Sequence, residues 1–121
     1  MEYMLLIYQD EAQRTKMSDQ ERGALFAQYG EFTESIQKSG AFKAGAPLQP
    51  STTASTVRMK NGKTVTTDGP FAETKEQLGG YYLVDAKNLD EAISIAARIP
   101  AVRVVGGTIE VRPVMQVGAP K

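Results

Sequence analysis

The chain has 121 residues, 41% of them hydrophobic and 23% charged, which fits a single globular domain spanning residues 1–121. Fourteen Lys and Arg balance fourteen Asp and Glu; with no clustered excess of positive charge, neither a nucleic-acid partner nor a membrane surface is expected. The absence of Cys and His excludes disulfides, thiolate metal sites, Cys nucleophiles and every His-dependent triad, and no bound metal or cofactor is expected.

Residues 3–8, Tyr3-Met4-Leu5-Leu6-Ile7-Tyr8, read as a first strand. Both alternating sets are apolar, so both faces of this strand should be covered. The run is far shorter than the about 20 residues of a membrane span. It follows Glu2 rather than a basic segment, so no signal peptide is expected and the reading is cytoplasmic. Gln9 to Lys16 is polar and reads as a loop. Ser18-Asp19-Gln20-Glu21 fits a capping box. The helix it opens carries Leu25, Phe26, Tyr29, Phe32 and Ile36 at helical spacing and stops at Gly40. Gly23, Ala27 and Gly30 form a small-residue stripe on it, read either as close packing against a sheet or as room for a ligand.

Residues 41–46 have room for a short strand, and the Ala-, Gly-, Pro-, Ser- and Thr-rich stretch 44–56 reads as a crossing loop. Asn61-Gly62 between the strand-like runs 56–60 and 63–67 predicts a hairpin with a type I′ turn. Asp68-Gly69-Pro70-Phe71 is turn chemistry, and Ala72 to Gln77 has room for one helical turn. Gly80 to Ala86 is a second strand apolar on both faces. Asn88 caps a helix carrying Leu89, Ala92, Ile93, Ala96 and Ile99, which Pro100 ends. Residues 101–107 read as loop, 108–114 as the last strand, and 115–121 as a tail that frays or crosses to a partner.

This order predicts an α+β fold: ferredoxin-like βαββαβ with an added hairpin. The two strands with two apolar faces would lie at the sheet centre. One face packs on the helices, and the economical cover for the other is a second copy. A face-to-face homodimer burying more than roughly 1,200 Å² is therefore expected.

The run Asp68-Gly69-Pro70-Phe71-Ala72-Glu73-Thr74-Lys75-Glu76, followed by Gln77-Leu78-Gly79-Gly80-Tyr81-Tyr82, resembles the signature of DGPF-domain proteins of the YCII-related family. Thr56-Val57-Arg58, Leu89-Asp90-Glu91-Ala92 and Glu110-Val111-Arg112-Pro113-Val114 extend the resemblance from residue 3 to about residue 115. It implies the dimeric α/β barrel and a bacterial protein with a link to extracytoplasmic-function sigma factors. Part of that family carries a His and an Asp in a cleft. The lack of any His here means the pair does not carry over.

Several side chains have both a structural and a chemical reading. Asp68 either closes an Asx-type turn or stands at a cleft rim as general base or substrate anchor; it is the best catalytic candidate. Phe71 and Leu78 could supply the burial that raises its pKa. Glu73, Lys75 and Glu76 form either a solvated charged turn or an anion site, with Lys75 as the point charge and a Glu moving a proton. Tyr81 and Tyr82 point to opposite faces, and Tyr82 is taken as a ligand-orienting hydroxyl. Glu110 and Arg112 share a face, as an ion pair or with Arg112 meeting a ligand carboxylate. The candidate ligand-binding set is thus Asp68, Phe71, Glu73, Lys75, Glu76, Tyr82 and Arg112. The leading function is binding of a small polar or anionic molecule near the DGPF loop, with an enzyme of unassigned reaction left open. The alternatives are a non-catalytic regulatory or interaction protein and, by superfamily analogy, a cofactor-free oxygenase or isomerase.

Overall fold

The structure, a computed structural model, describes residues 1–118; the last three residues of the expected tail lie outside the described residues. Strands β1 (Glu2–Gln9), β2 (Phe42–Pro47), β5 (Gln77–Asp85) and β6 (Thr108–Pro113) form one antiparallel sheet in the order β2-β5-β1-β6. Strands β3 (Ser55–Lys60) and β4 (Lys63–Asp68) form a separate two-stranded ribbon. Helices α2 (Asp19–Lys38) and α3 (Leu89–Ala96) complete the ferredoxin-like α+β order, with short helices α1 (Glu11–Thr15) and α4 (Pro100–Val104) beside them. Among the described residues no helix is long and apolar enough to cross a membrane.

The central pair is the one expected from its two apolar faces. On β1, Tyr3, Leu5 and Ile7 are buried, while Met4, Leu6 and Tyr8 are half-buried. On β5, Tyr82 and Val84 are buried and Tyr81 and Leu83 half-buried. The buried set joins Phe32 and Ile36 of α2 and Ala92, Ile95 and Ile99 in one core. The other set forms an open face, where register puts Met4 opposite Leu83 and Arg112, and Leu6 opposite Tyr81 and Glu110.

Local chemistry sets the element ends. Ser18 Oγ accepts from the Glu21 N–H at 3.1 Å, and the Glu21 carboxylate accepts from the Ser18 N–H at 2.8 Å, completing the capping box. Asn61 (φ 51°) and Gly62 (φ 77°) both take the left-handed backbone of a type I′ turn.

Four local expectations are corrected. The polar stretch after β1 holds α1, because the Asp10 carboxylate caps it by accepting from the Ala12 N–H at 2.9 Å. Pro100 begins a helix rather than ending one: α3 stops at Ala96, and Pro100 takes the first turn of α4, where its missing N–H costs nothing. Residues 72–77 form no helical turn; β5 already starts at Gln77, which pairs with Gln9. Phe26, one residue round the helix from buried Leu25, is 81% exposed and stands off the core.

Ile36 is completely buried, so Ile36→Ala should lower the unfolding free energy by about 2–5 kcal/mol in a urea titration. Ser18→Ala should lower it by about 1 kcal/mol through loss of the cap.

Candidate functional site

Helix α2 does not lie flush on the β2–β5 edge of the sheet. A cavity of about 510 Å³ separates them. Four of its lining residues are glycines, Gly30 on α2, Gly45 of β2 and Gly79 and Gly80 of β5. A Cβ placed at Gly30 or Gly23 would meet nothing within 4 Å. The small-residue stripe of α2 is thus not a close-packing seam; of its members Gly30 borders the cavity, while Gly23 and Ala27 are exposed and lie outside its lining.

Tyr82 stands at the inner end of this space. Its ring packs edge-on against Phe32 at 5.2 Å and Phe42 at 6.4 Å between centroids. Its hydroxyl shares a hydrogen bond of 2.7 Å with Thr33 Oγ1. Gly45 is required beside it, since a Cβ there would sit 2.9 Å from Tyr82 Cδ1. Tyr29 also lines the cavity, and burial pushes its phenol up to about 12. At neutral pH that hydroxyl is therefore a hydrogen-bonding group and not a proton acceptor.

Further polar residues line the space: Gln9, Arg14, Glu34 and Gln37. Gln9, at the end of β1, is 5% exposed and is the one buried polar residue among those described. Arg14 of α1 contributes from the exposed rim. The position of α1 is fixed at its first residue. The Glu11 carboxylate accepts from the Ser51 N–H at 2.7 Å and the Ser51 hydroxyl at 2.6 Å, while the Glu11 N–H donates to Gln77 Oε1 at 2.9 Å. These bonds join the start of α1 to the crossing loop and to β5.

The sequence profile of the YCII-related domain matches residues 1–118. The chain belongs to the YCII-related domain family. It is also 38% identical over 113 residues to an uncharacterised protein of Rhizobium meliloti (strain 1021), covering 93% of this chain and 91% of that one.

Of the candidates picked from the YCII-related sequence, Tyr82 lies in the cavity wall; Asp68, Phe71, Glu73, Lys75, Glu76 and Arg112 are not among the lining residues. Asp68 ends β4 with its side chain exposed. The turn after it is closed not by the Asp68 carboxylate but by the Gly69 N–H, which donates to Ala54 O at 2.7 Å, and by Thr56 Oγ1, which donates to Gly69 O at 2.8 Å. Phe71 is 78% exposed, and Glu73 and Lys75 are exposed too. Glu76 is half-buried, with Oε1 sealed from solvent and lacking a hydrogen-bond partner. Arg112 lies exposed on the open face; among the described residues it forms no ion pair with Glu110, which accepts from the Tyr8 hydroxyl at 3.3 Å. The residues that sequence reasoning missed are Gln9, Arg14, Tyr29 and Thr33. The signal for Gln9 was present, because it continues the buried alternation Tyr3, Leu5, Ile7 by one more step.

Gly30→Ala should be neutral or stabilise by up to about 1 kcal/mol through helix propensity. Gly45→Ala, forced against Tyr82, should cost about 1–3 kcal/mol; paired denaturant titrations check the contrast. The raised Tyr29 pKa also has a pH signature. The folded state keeps that proton above the ordinary value of 10.0, where the unfolded chain loses it, so stability is full below pH 10 and falls as pH rises toward about 12. Tyr29→Phe should show a shallower fall across that window.

Proposed function

We propose that the protein binds a small, largely apolar molecule with a polar end group in the cavity between α2 and the sheet. The observation that carries this reading is the hollow itself, about 510 Å³, bordered by glycines on both sides. An apolar cavity of about 150 Å³ already admits benzene, so two fused rings fit here. At Gly30, which borders this space, an added Cβ would meet nothing within 4 Å. The charged loop from Asp68 to Glu76 runs directly into the Gly79–Tyr82 wall. The charged side chains that reach the cavity itself are Arg14 and Glu34, both exposed at its rim.

The open sheet face supports a homodimer in the same proposal. Met4, Leu6, Tyr81 and Leu83 form an apolar centre that no helix among the described residues covers, and Glu110 and Arg112 edge it on β6. Apolar centre and charged rim are the anatomy of an association surface. A second reading, a non-catalytic interaction protein, draws on the ribbon, where Val57 is 63%, Met59 68% and Val65 40% exposed.

Titration with naphthalene as an apolar probe should show saturable binding to the wild-type chain. At about 100 times its dissociation constant the probe should add roughly 2.7 kcal/mol of stability. Gly30→Phe should abolish the binding while leaving the fold intact; a wild-type chain that binds no apolar probe overturns the ligand-binding reading. Light scattering should give twice the 13.1 kDa chain mass, and Leu6→Glu should return it to a single chain. A monomeric wild-type protein would refute the dimer and leave the ribbon as the association surface to test.

A further inference from the structure

We propose that the polar end of the cavity's ligand is a neutral group presenting a donor and an acceptor side by side, such as a carboxamide or lactam, and that Gln9 reads it. This inference rests on the cavity being a ligand site. Gln9 is 5% exposed, lines the cavity, and makes no side-chain hydrogen bond among the described residues, and its amide is not sealed off from the open space beside it. Gly79 leaves room for this amide: a Cβ there would crowd Gln9 Nε2 at 3.2 Å. A buried carboxamide carries two N–H donors and a carbonyl acceptor, and groups of this kind are almost always paired in folded proteins. A partner offering both a donor and an acceptor satisfies them together.

The surroundings favour a neutral partner over an ionic one. The Tyr82 hydroxyl is already engaged with Thr33 at 2.7 Å, and the Tyr29 phenol stays uncharged up to about 12. The charged members of the lining, Arg14 and Glu34, are exposed, and Glu34 is paired with Lys38 at 3.2 Å. A ligand carboxylate beside Gln9 would be desolvated with no buried cation to meet it, and it would set an oxygen against the Gln9 carbonyl.

The test uses probes that share one apolar body: naphthalene-2-carboxamide, methyl 2-naphthoate, 2-naphthoate and 2-methylnaphthalene, titrated at neutral pH into the full chain and into Gln9→Met. The wild-type protein should bind the carboxamide about tenfold or more tighter than the hydrocarbon, one to two hydrogen bonds' worth of affinity. The ester, which keeps the acceptor and loses the donors, should fall between them. In Gln9→Met the carboxamide should lose its advantage over the hydrocarbon. If that variant does not fold, the wild-type ranking of carboxamide, ester and hydrocarbon decides. Equal affinity for all four probes, a preference that survives in Gln9→Met, or tightest binding of 2-naphthoate would each overturn the inference while leaving the cavity a ligand site. Failure of every probe, the hydrocarbon included, would overturn the cavity reading itself.

Discussion

The arrangement on the helix side of the sheet depends on how Tyr82 is seated. A tyrosine on the buried face of a central strand must bury its ring and still satisfy its hydroxyl. Here the ring meets Phe32 and Phe42 edge-on, and the hydroxyl reaches Thr33 on α2. That bond spans the layer between strand and helix, beside the direct core packing of Phe32 and Ile36 from the same helix. Gly45 provides the space the ring needs on the neighbouring strand. The hollow lies where this long side chain meets Gly30 of α2, Gly45 of β2 and Gly79 and Gly80 of β5.

The opposite face of the sheet presents the converse problem. β1 and β5 are apolar on both sides, but the helices pack on one side only, against Tyr3, Leu5, Ile7 and Val84. The residues left over, Met4, Leu6, Tyr81 and Leu83, are shielded from water in part by their cross-strand neighbours and no further. Edge strand β6 bears Glu110 and Arg112 on this side, charges that discourage indiscriminate stacking of the apolar strip. The two faces therefore divide the work of the sheet: one encloses a space, and the other offers a surface.

Sequence reasoning recovered the architecture because the signals for it are local and redundant. A capping box, an Asn-Gly turn and two doubly apolar strands each determine one element without reference to the rest. It failed where a local signal has two outcomes. Proline stops one helix and starts another with equal ease, and Pro100 starts one, because Ala97–Ile99 already make the turn out of α3. The stretch from Gln9 to Lys16 is polar throughout, so no hydrophobic period betrays α1; its helix is set by the Asp10 cap and the tertiary bonds of Glu11.

The cavity was legible only in fragments, for a physical reason. Charge is conspicuous in a sequence, so the loop from Asp68 to Glu76 drew attention, whereas a hollow is made by what is absent. Gly30, Gly45, Gly79 and Gly80 lie far apart in the chain, and only the pairing of β2 with β5 and the path of α2 bring them to one place. Taken singly, each glycine reads as a local convenience. What a sequence can show is the residue that breaks a pattern. In Tyr3, Leu5, Ile7, Gln9 the alternation holds while the polarity changes, so the strand must carry an amide into the layer it has been filling with hydrocarbon. A fold tolerates that only where the amide has somewhere to go, and in this chain it has the cavity.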